Sequence, residues 1–392
     1  MISRTIEKEL LQCAKEYPAV TIFGPRQSGK TTLARLAFPD HQYYSLEDVD
    51  HRRYASEDPR GLVEGFEGGV IFDEIQRVPE LLSYLQGVID ENPVEGRFIL
   101  TGSHQPRIQQ SVSQSLAGRT AVLELLPFSV EELAQYKRNY DLPYELIFKG
   151  FYPRLHENEL RPSRFYASYF ATYVERDIRE LINLKDLKRF HEFMRLLAGR
   201  VGQLMNYNSL AGDVGVSSVT IKDWISVLKA SYLIFELPPF FRNIRKRLVK
   251  MPKIYFTDVG LACWLLGIED SQQLIRDPLR GNLYENMLVV ETLKQIQNRG
   301  LNSQLYFYRD SHGNEVDLVI AGRKSITAIE MKSAKTFHPD FFKGLVNFEQ
   351  ALCEEIPVDK QLWYAGKEVL TYKDVSITNP LNTYLQGGNV FD

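Results

Sequence analysis

Four short apolar runs punctuate the first third of the chain, at residues 19–23, 70–72, 98–100 and 120–125, and the first three stop abruptly at polar or glycine residues. Their length of three to six residues and their content of Val, Ile and Phe predict buried strands, not helices. Between them the pattern changes period. Residues 1–17 alternate charged and apolar positions like an amphipathic helix, and residues 32–37 continue as a helix after a glycine-containing loop. Strands alternating with helices predict an α/β fold built on a parallel sheet.

Beyond residue 125 the strand pattern gives way. Residues 128–133 open a helical region, with breaks at 140–143 and 150–154. Residues 163–184 are permissive for helix and carry Phe165, Tyr166, Tyr169, Phe170 and Tyr173, which are expected to pack on the preceding unit. Residues 209–217 read as a helix closed by a glycine turn. Residues 217–228 read as a second helix, with Val219, Trp224, Ile225 and Leu228 on its buried side. Short strands at 235–237 and 253–256 could form a wing, and Arg242, Arg245, Lys246, Arg247, Lys250 and Lys253 fall between and beside them with no acid among them. The last third returns to strands, at 305–309, 315–320 and 326–332, after a helix over 282–291.

Composition adds three limits. At 392 residues the chain exceeds one ordinary core. With 47 basic and 50 acidic residues its net charge is -3, so a broadly basic nucleic-acid coat is not expected and any such binding falls to local patches. Cys13, Cys263 and Cys353 lie far apart and form no metal-ligand spacing, which fits a reducing cytoplasm; the longest apolar stretch, 225–241, is broken by Lys229, Glu236 and two prolines and is too interrupted to span a bilayer.

The most specific chemistry lies between the first strand and its helix. Gly24, Pro25, Arg26, Gln27, Ser28, Gly29, Lys30 and Thr31 fit the loop G-x-x-x-x-G-K-[ST], with Thr32 following. Such a loop turns backbone N–H groups and a helix N-terminus toward phosphates, while Lys30 supplies charge and the Thr31 hydroxyl a ligand for Mg²⁺. Residues 70–74 end in Asp73 and Glu74, the pattern of a neighbouring strand whose first carboxylate holds the magnesium shell and whose second polarises the attacking water. Ser103, ending the 97–103 run, is a candidate γ-phosphate sensor. At these motifs the chain resembles the AAA+ ATPases, which implies ATP and Mg²⁺ as cofactors and an arginine from a lid or a neighbouring subunit, so a homo-oligomer is among the expected states. Arg119, Arg107 and Arg176 are the candidates.

Glu285 lies on the helix at 282–291, and the strands at 315–320 and 326–332 supply Asp317, Glu330 and Lys332. Alternation along a strand puts Glu330 and Lys332 on one face. Two acids and a lysine in this pattern suit magnesium-assisted phosphodiester cleavage, with Glu285, Asp317 and Glu330 as metal ligands and Lys332 orienting water. The pattern resembles the PD-(D/E)xK nucleases, although no clear Gln motif follows Lys332. Taken whole, the chain resembles a prokaryotic family in which an AAA+ ATPase is fused to a nuclease-like C-terminal domain. The resulting expectation is a P-loop core over 1–135, a helical lid over 136–185, a winged helix over 186–270 and a restriction-endonuclease-like α/β domain over 271–392. Two functions follow: a DNA-processing enzyme, with DNA as partner, or a nucleotide-driven switch or assembly protein whose C-terminal part binds a partner or DNA without cutting it.

Overall fold

A computed structural model describes residues 2–103, 112, 114–136, 143–175, 186–241, 250–322, 325–352 and 356–385. Strands β1 (Ala19–Gly24), β2 (Gln42–Ser45), β3 (Val70–Asp73), β4 (Phe98–Ser103) and β5 (Thr120–Glu124) form one sheet in the order β2-β3-β4-β1-β5. Every pairing is parallel. The apolar runs alternate between two faces, as a period of two requires. Val20, Ile22, Ile71 and Ile99 pack with Leu10, Leu33 and Ala34 from helices α1 (Glu7–Glu16) and α2 (Lys30–Ala37). Ala19, Phe23, Val70, Phe72, Phe98 and Leu100 face the opposite way, onto helix Leu81–Glu91 and its neighbours. Because both faces are covered, the strands are apolar throughout, and only their tips are left for polar chemistry.

The strand order corrects one expectation. β3, which carries the Asp73–Glu74 pair at its end, is not adjacent to β1: β4 lies between them, so Ser103 sits between the phosphate-loop strand and the acidic strand.

A second body of structure follows. Helix Tyr207–Val214 is capped by Asn206 and stops at Gly215, whose φ of 74° is a left-handed conformation that glycine adopts without strain. Helix Ser218–Ala230 starts from Ser217, whose hydroxyl accepts from the Thr220 amide. Its buried stripe is Ile221, Trp224, Ile225 and Leu228, at i, i+3, i+4 and i+7; Val219 lies off that stripe and is exposed, contrary to expectation. β6 (Ile234–Leu237) and β7 (Lys253–Phe256) pair antiparallel, while the basic positions Arg242, Arg245, Lys246 and Arg247 lie outside the described residues.

β8 (Gln304–Arg309), β9 (Glu315–Ala321), β10 (Ile326–Lys332), β11 (Val358–Tyr364), β12 (Leu370–Tyr372) and β13 (Val375–Thr378) form a mixed sheet ordered β12-β13-β11-β10-β9-β8. One face packs on helix Lys343–Ala351; the other joins the long helix Arg280–Asn298 and the middle helices in a core that also includes Phe128, Val130 and Tyr152. The chain past Leu126 is thus tied to its last third by one continuous apolar cluster. Among the described residues no helix is long and apolar enough to cross a membrane.

Candidate active site

Gly24 and Gly29 make the phosphate loop feasible. Gly29 has φ 95°, and a Cβ on Gly24 would fall 2.2 Å from the Leu125 carbonyl oxygen, so neither position accepts a side chain. Lys30 begins α2 and is buried; its ammonium donates to the loop's own carbonyls, Gly24 O at 3.0 Å and Pro25 O at 2.8 Å. Burial lowers its pKa despite the nearby carboxylates of Glu74 and Asp73. The Ser28 hydroxyl is fully buried and has no hydrogen-bond partner among the described residues. A buried hydroxyl in a loop of inward amides needs an acceptor, and a phosphate oxygen meets that need.

The acidic tip of β3 is held by its neighbours. Asp73 accepts from the Thr31 hydroxyl at 2.9 Å, from the Thr101 hydroxyl and from the Tyr43 hydroxyl at 2.7 Å. Tyr43 titrates high, at about 12, because of burial and its bond to Asp73, so it remains a donor. Glu74 adopts φ 59°, a left-handed conformation rare for a residue with a side chain. Its carboxylate is fixed by Gln76 Nε2 and by the Ser103 hydroxyl at 3.2 Å, and Gln76 also donates to Ser103 at 2.7 Å. Lys30, Thr31, Asp73, Glu74 and Ser103 therefore converge at one end of the sheet. The pairing of Thr31 with Asp73 suits a hard cation that takes a hydroxyl, a carboxylate, phosphate oxygens and waters, so this donor set fits magnesium bound with a nucleotide.

Several residues of this site escaped the sequence reading. Tyr43 lay in no motif, and Gln76 closed the Asp73–Gln76 box without a role of its own. Arg4, read as part of an amphipathic helix that in fact starts at Glu7, is buried beneath the loop: its guanidinium donates to Ser28 O at 2.7 Å, Leu126 O at 2.7 Å and Glu132 Oε1 at 3.0 Å. Of the three candidate arginines, Arg119 alone lies among the described residues. Arg119 stands before β5, whose Thr120 pairs with Ala19 at the start of β1, so it lies at the opposite end of the strands from the loop. Five strand residues put it on the order of 16 Å away along the sheet. There it forms a bidentate pair with Asp90, at 2.5 and 2.8 Å. Arg119 does not face the phosphates of its own chain, and Arg107 and Arg176 lie outside the described residues. Beside the loop, Gln27 instead shares a cleft of about 430 Å³ with Arg154, Arg161 and Arg164, while the Arg26 guanidinium lies 5.4 Å from the Tyr173 ring on a π-helical turn, Phe170–Val174.

The C-terminal acids also meet, but around a lysine. Lys253, expected on an exposed basic wing, is only 2% exposed. Its ammonium is 2.9 Å from Glu285, 2.5 Å from Glu315 and 3.8 Å from Asp317. Burial opposes its charge, yet Glu285 and the other acids outweigh this and raise its pKa. Glu285 also accepts from the Tyr255 hydroxyl at 2.5 Å, and burial pushes it up to about 7; Asp317 accepts from the Met331 amide at 2.8 Å. Lys332 pairs with Glu330, which burial and Asp317 push up to about 8, and lies 3.7 Å from Asp317. Among the described residues no group of three or more His, Cys, Asp or Glu is arranged to hold a metal. The expected ligands Glu285, Asp317 and Glu330 thus do not fit a divalent ion as they stand, because ammonium groups already face their oxygens.

Comparison with known proteins agrees with the geometry of the first sheet. Residues 16–134 match the AAA domain model, residues 141–272 a domain of unknown function, DUF8612, and residues 280–384 another, DUF4143. The uncharacterized proteins Rv2008c of Mycobacterium tuberculosis and Mb2031c of Mycobacterium bovis are each 29% identical over 383 residues, covering 95% of this chain and 82% of theirs. Among solved structures, the Walker-type ATPase PABY2304 of Pyrococcus abyssi is 16% identical with a TM-score of 0.44, covering 66% of this chain and 94% of that one. RuvB of Thermotoga maritima is 19% identical with a TM-score of 0.35, covering 60% and 90%. The N-terminal part of this chain is an AAA-type ATPase domain with a nucleotide-binding loop, followed by two domains of unknown function.

Proposed function

We propose that the protein hydrolyses ATP with Mg²⁺ and uses the cycle to switch the state of its C-terminal part, without cleaving DNA there. Bound Mg-ATP supplies the electrophilic γ-phosphorus and a cation that offsets phosphate charge. Lys30 leaves its loop carbonyls to meet the β and γ phosphates, and Thr31 and Asp73 hold the cation. Glu74, already aimed by Gln76 and Ser103, orients the attacking water as a general base. Ser103 then reports the γ-phosphate to Glu74, to whose carboxylate its hydroxyl donates at 3.2 Å. Arg154, Arg161 or Arg164 supplies the positive charge that phosphoryl transfer requires.

The observation that carries the switch is a chain of buried polar contacts from the loop to the long helix. Arg4 links Ser28 of the loop to Glu132 and to the Leu126 carbonyl. The same segment is clamped by the long helix: Glu291 accepts from the Val130 amide at 3.0 Å and Lys294 donates to the Phe128 carbonyl at 2.8 Å. Glu285 of that helix shares the Lys253 ammonium with Glu315 and Asp317 of the C-terminal sheet. A loop that moves on binding phosphate therefore pulls on a helix shared with the C-terminal sheet. The domain plan proposed is a P-loop core over 1–135, a lid over 136–185, a winged helix over 186–270 and an α/β domain over 271–392.

The alternative, in which Asp317, Glu330 and Lys332 cut DNA, is separated by experiment. ATP turnover is measured with and without single-stranded, duplex and branched DNA, alongside Mg²⁺-dependent degradation of the same DNAs by wild type and Glu330→Ala. The proposal expects turnover that Glu74→Gln slows 10² to 10⁴-fold and no Glu330-dependent degradation. DNA cleavage lost in Glu330→Ala would overturn the non-cleaving reading.

A further inference from the structure

The acidic cluster of the C-terminal sheet raises a question that the ATPase reading leaves open: what balances its charge. Four carboxylates, Glu285, Glu315, Asp317 and Glu330, come from the long helix, β9 and β10. Among the described residues three cations touch them: Lys253 from β7, Lys332 from β10, and Arg309, which pairs with Glu315 at 2.9 Å. Counted formally, with all four carboxylates ionised, one net negative charge remains; without Lys253 two would remain, which one divalent ion would balance.

The placement of Lys253 is specific. It is the first residue of β7, paired with Leu237 of β6, and Met205 donates its amide to the neighbouring Pro252 carbonyl, so the backbone is fixed on both sides. From this anchor its side chain passes 5.6 Å from the Phe307 ring and ends among carboxylates from two other elements. A lysine at the end of a basic surface run would keep its charge in water, since a buried ammonium is costly unless it is closely paired. Lys253 is paired closely on at least two sides. One acceptor is left over: Glu330 Oε2 is buried and has no hydrogen-bond partner among the described residues.

We propose that Lys253 is the resident cation of this cluster: its ammonium stands in for a divalent ion, keeps the acids free of metal in the folded protein, and masks a latent divalent-cation site that opens only when the lysine is withdrawn. A divalent ion and the ammonium cannot share the cluster, because like charges a few ångströms apart in a weakly screened interior repel strongly. With the lysine gone, carboxylate oxygens of Glu285, Glu315 and Asp317 lose a counter-charge together, and Glu330 Oε2 is still open. Oxygen donors from four carboxylates, completed by water, suit a hard cation such as Mn²⁺, Mg²⁺ or Ca²⁺. Because β7 carries the lysine, withdrawal means movement of the β6–β7 hairpin relative to the C-terminal sheet, which makes the pair an internal plug.

The test uses the full-length chain without nucleotide, and Mn²⁺ as probe, counted by electron paramagnetic resonance. Wild type, Asp317→Asn, Lys253→Met and the double variant Lys253→Met/Asp317→Asn are compared, with ATP binding as the check that each is folded. Wild type is expected to hold no Mn²⁺ that Asp317→Asn removes. Lys253→Met is expected to gain one Mn²⁺ bound at least tenfold more tightly than any Mn²⁺ on wild type, to rise in melting temperature when Mn²⁺ is added, and to lose both properties in the double variant. A folded Lys253→Met that gains no Mn²⁺ overturns the proposal, as does an Asp317-dependent Mn²⁺ on wild type. The wild-type comparison decides even where Lys253→Met folds poorly; a Lys253→Met recovered only when refolded with Mn²⁺ supports the proposal.

Discussion

Arg4→Ala is the perturbation that bears most directly on how the phosphate loop is held. The guanidinium spends its donors on three partners: a buried carboxylate, Glu132, and two backbone carbonyls, Ser28 and Leu126. It also lies 5.0 Å from the Phe128 ring. Breaking a buried ion pair from one side costs about 3–5 kcal/mol. The lower part of that range applies to the pair itself, because Glu132 keeps the Thr5 amide at 2.8 Å and the Ser129 amide at 2.8 Å. Two carbonyls left unpaired add about 1 kcal/mol each where water cannot reach them. The total stays at about 3–5 kcal/mol. With a urea dependence of about 2 kcal/mol/M, the midpoint for the N-terminal domain falls by roughly 1.5–2.5 M. The assay is urea unfolding of wild type, Arg4→Ala and Arg4→Lys, paired with ATP binding. Arg4→Lys keeps the charge but cannot fork to three acceptors, so its drop is intermediate. ATP affinity falls at least tenfold in Arg4→Ala, since the Ser28 carbonyl is no longer braced. An Arg4→Ala midpoint within 0.5 M of wild type, with ATP affinity unchanged, would refute the bracing argument.

Other outcomes follow from the same contacts. Glu74→Gln retains ATP binding but turns over 10² to 10⁴-fold more slowly, as measured by phosphate release, because an amide cannot accept a proton from water. Tyr43→Phe removes one of three bonds to Asp73, costs about 0.5–1.5 kcal/mol there and raises the Mg²⁺ concentration needed for half-maximal turnover. Arg119→Ala leaves turnover within twofold of wild type, since it pairs with Asp90 at the end of the strands away from the loop, whereas one of Arg154→Ala, Arg161→Ala and Arg164→Ala lowers kcat at least 10³-fold.

The first sheet was legible because its strands are apolar on both faces and its loop has a backbone-encoded purpose. Any chain that turns amides toward phosphate needs glycine where Gly24 meets the Leu125 carbonyl, so the motif and the geometry coincide. Strand order was not legible: nothing in the sequence of β3 records that β4 lies between it and β1, because adjacency is decided by helices crossing over the faces. Lys253 was misread for a related reason. Within a run of basic residues a buried lysine looks like its exposed neighbours, and only the tertiary approach of β9 and the long helix identifies it. Arg4 and Tyr43 join elements far apart in sequence, Arg4 reaching Glu132 and Tyr43 reaching Asp73, and no local pattern encodes such pairs. Glu315, by contrast, carried a usable signal: two positions before Asp317 on a strand, it shares that residue's face.

The central claim is that the Lys30 loop grips a nucleoside triphosphate beside the Asp73–Glu74 tip, and calorimetric titration of ATP with Mg²⁺ into wild type and Lys30→Ala tests it most directly. Saturable one-to-one binding to wild type, weakened at least a hundredfold in Lys30→Ala at unchanged thermal stability, is the predicted result. Equal binding by the two proteins, or none by wild type, would contradict it.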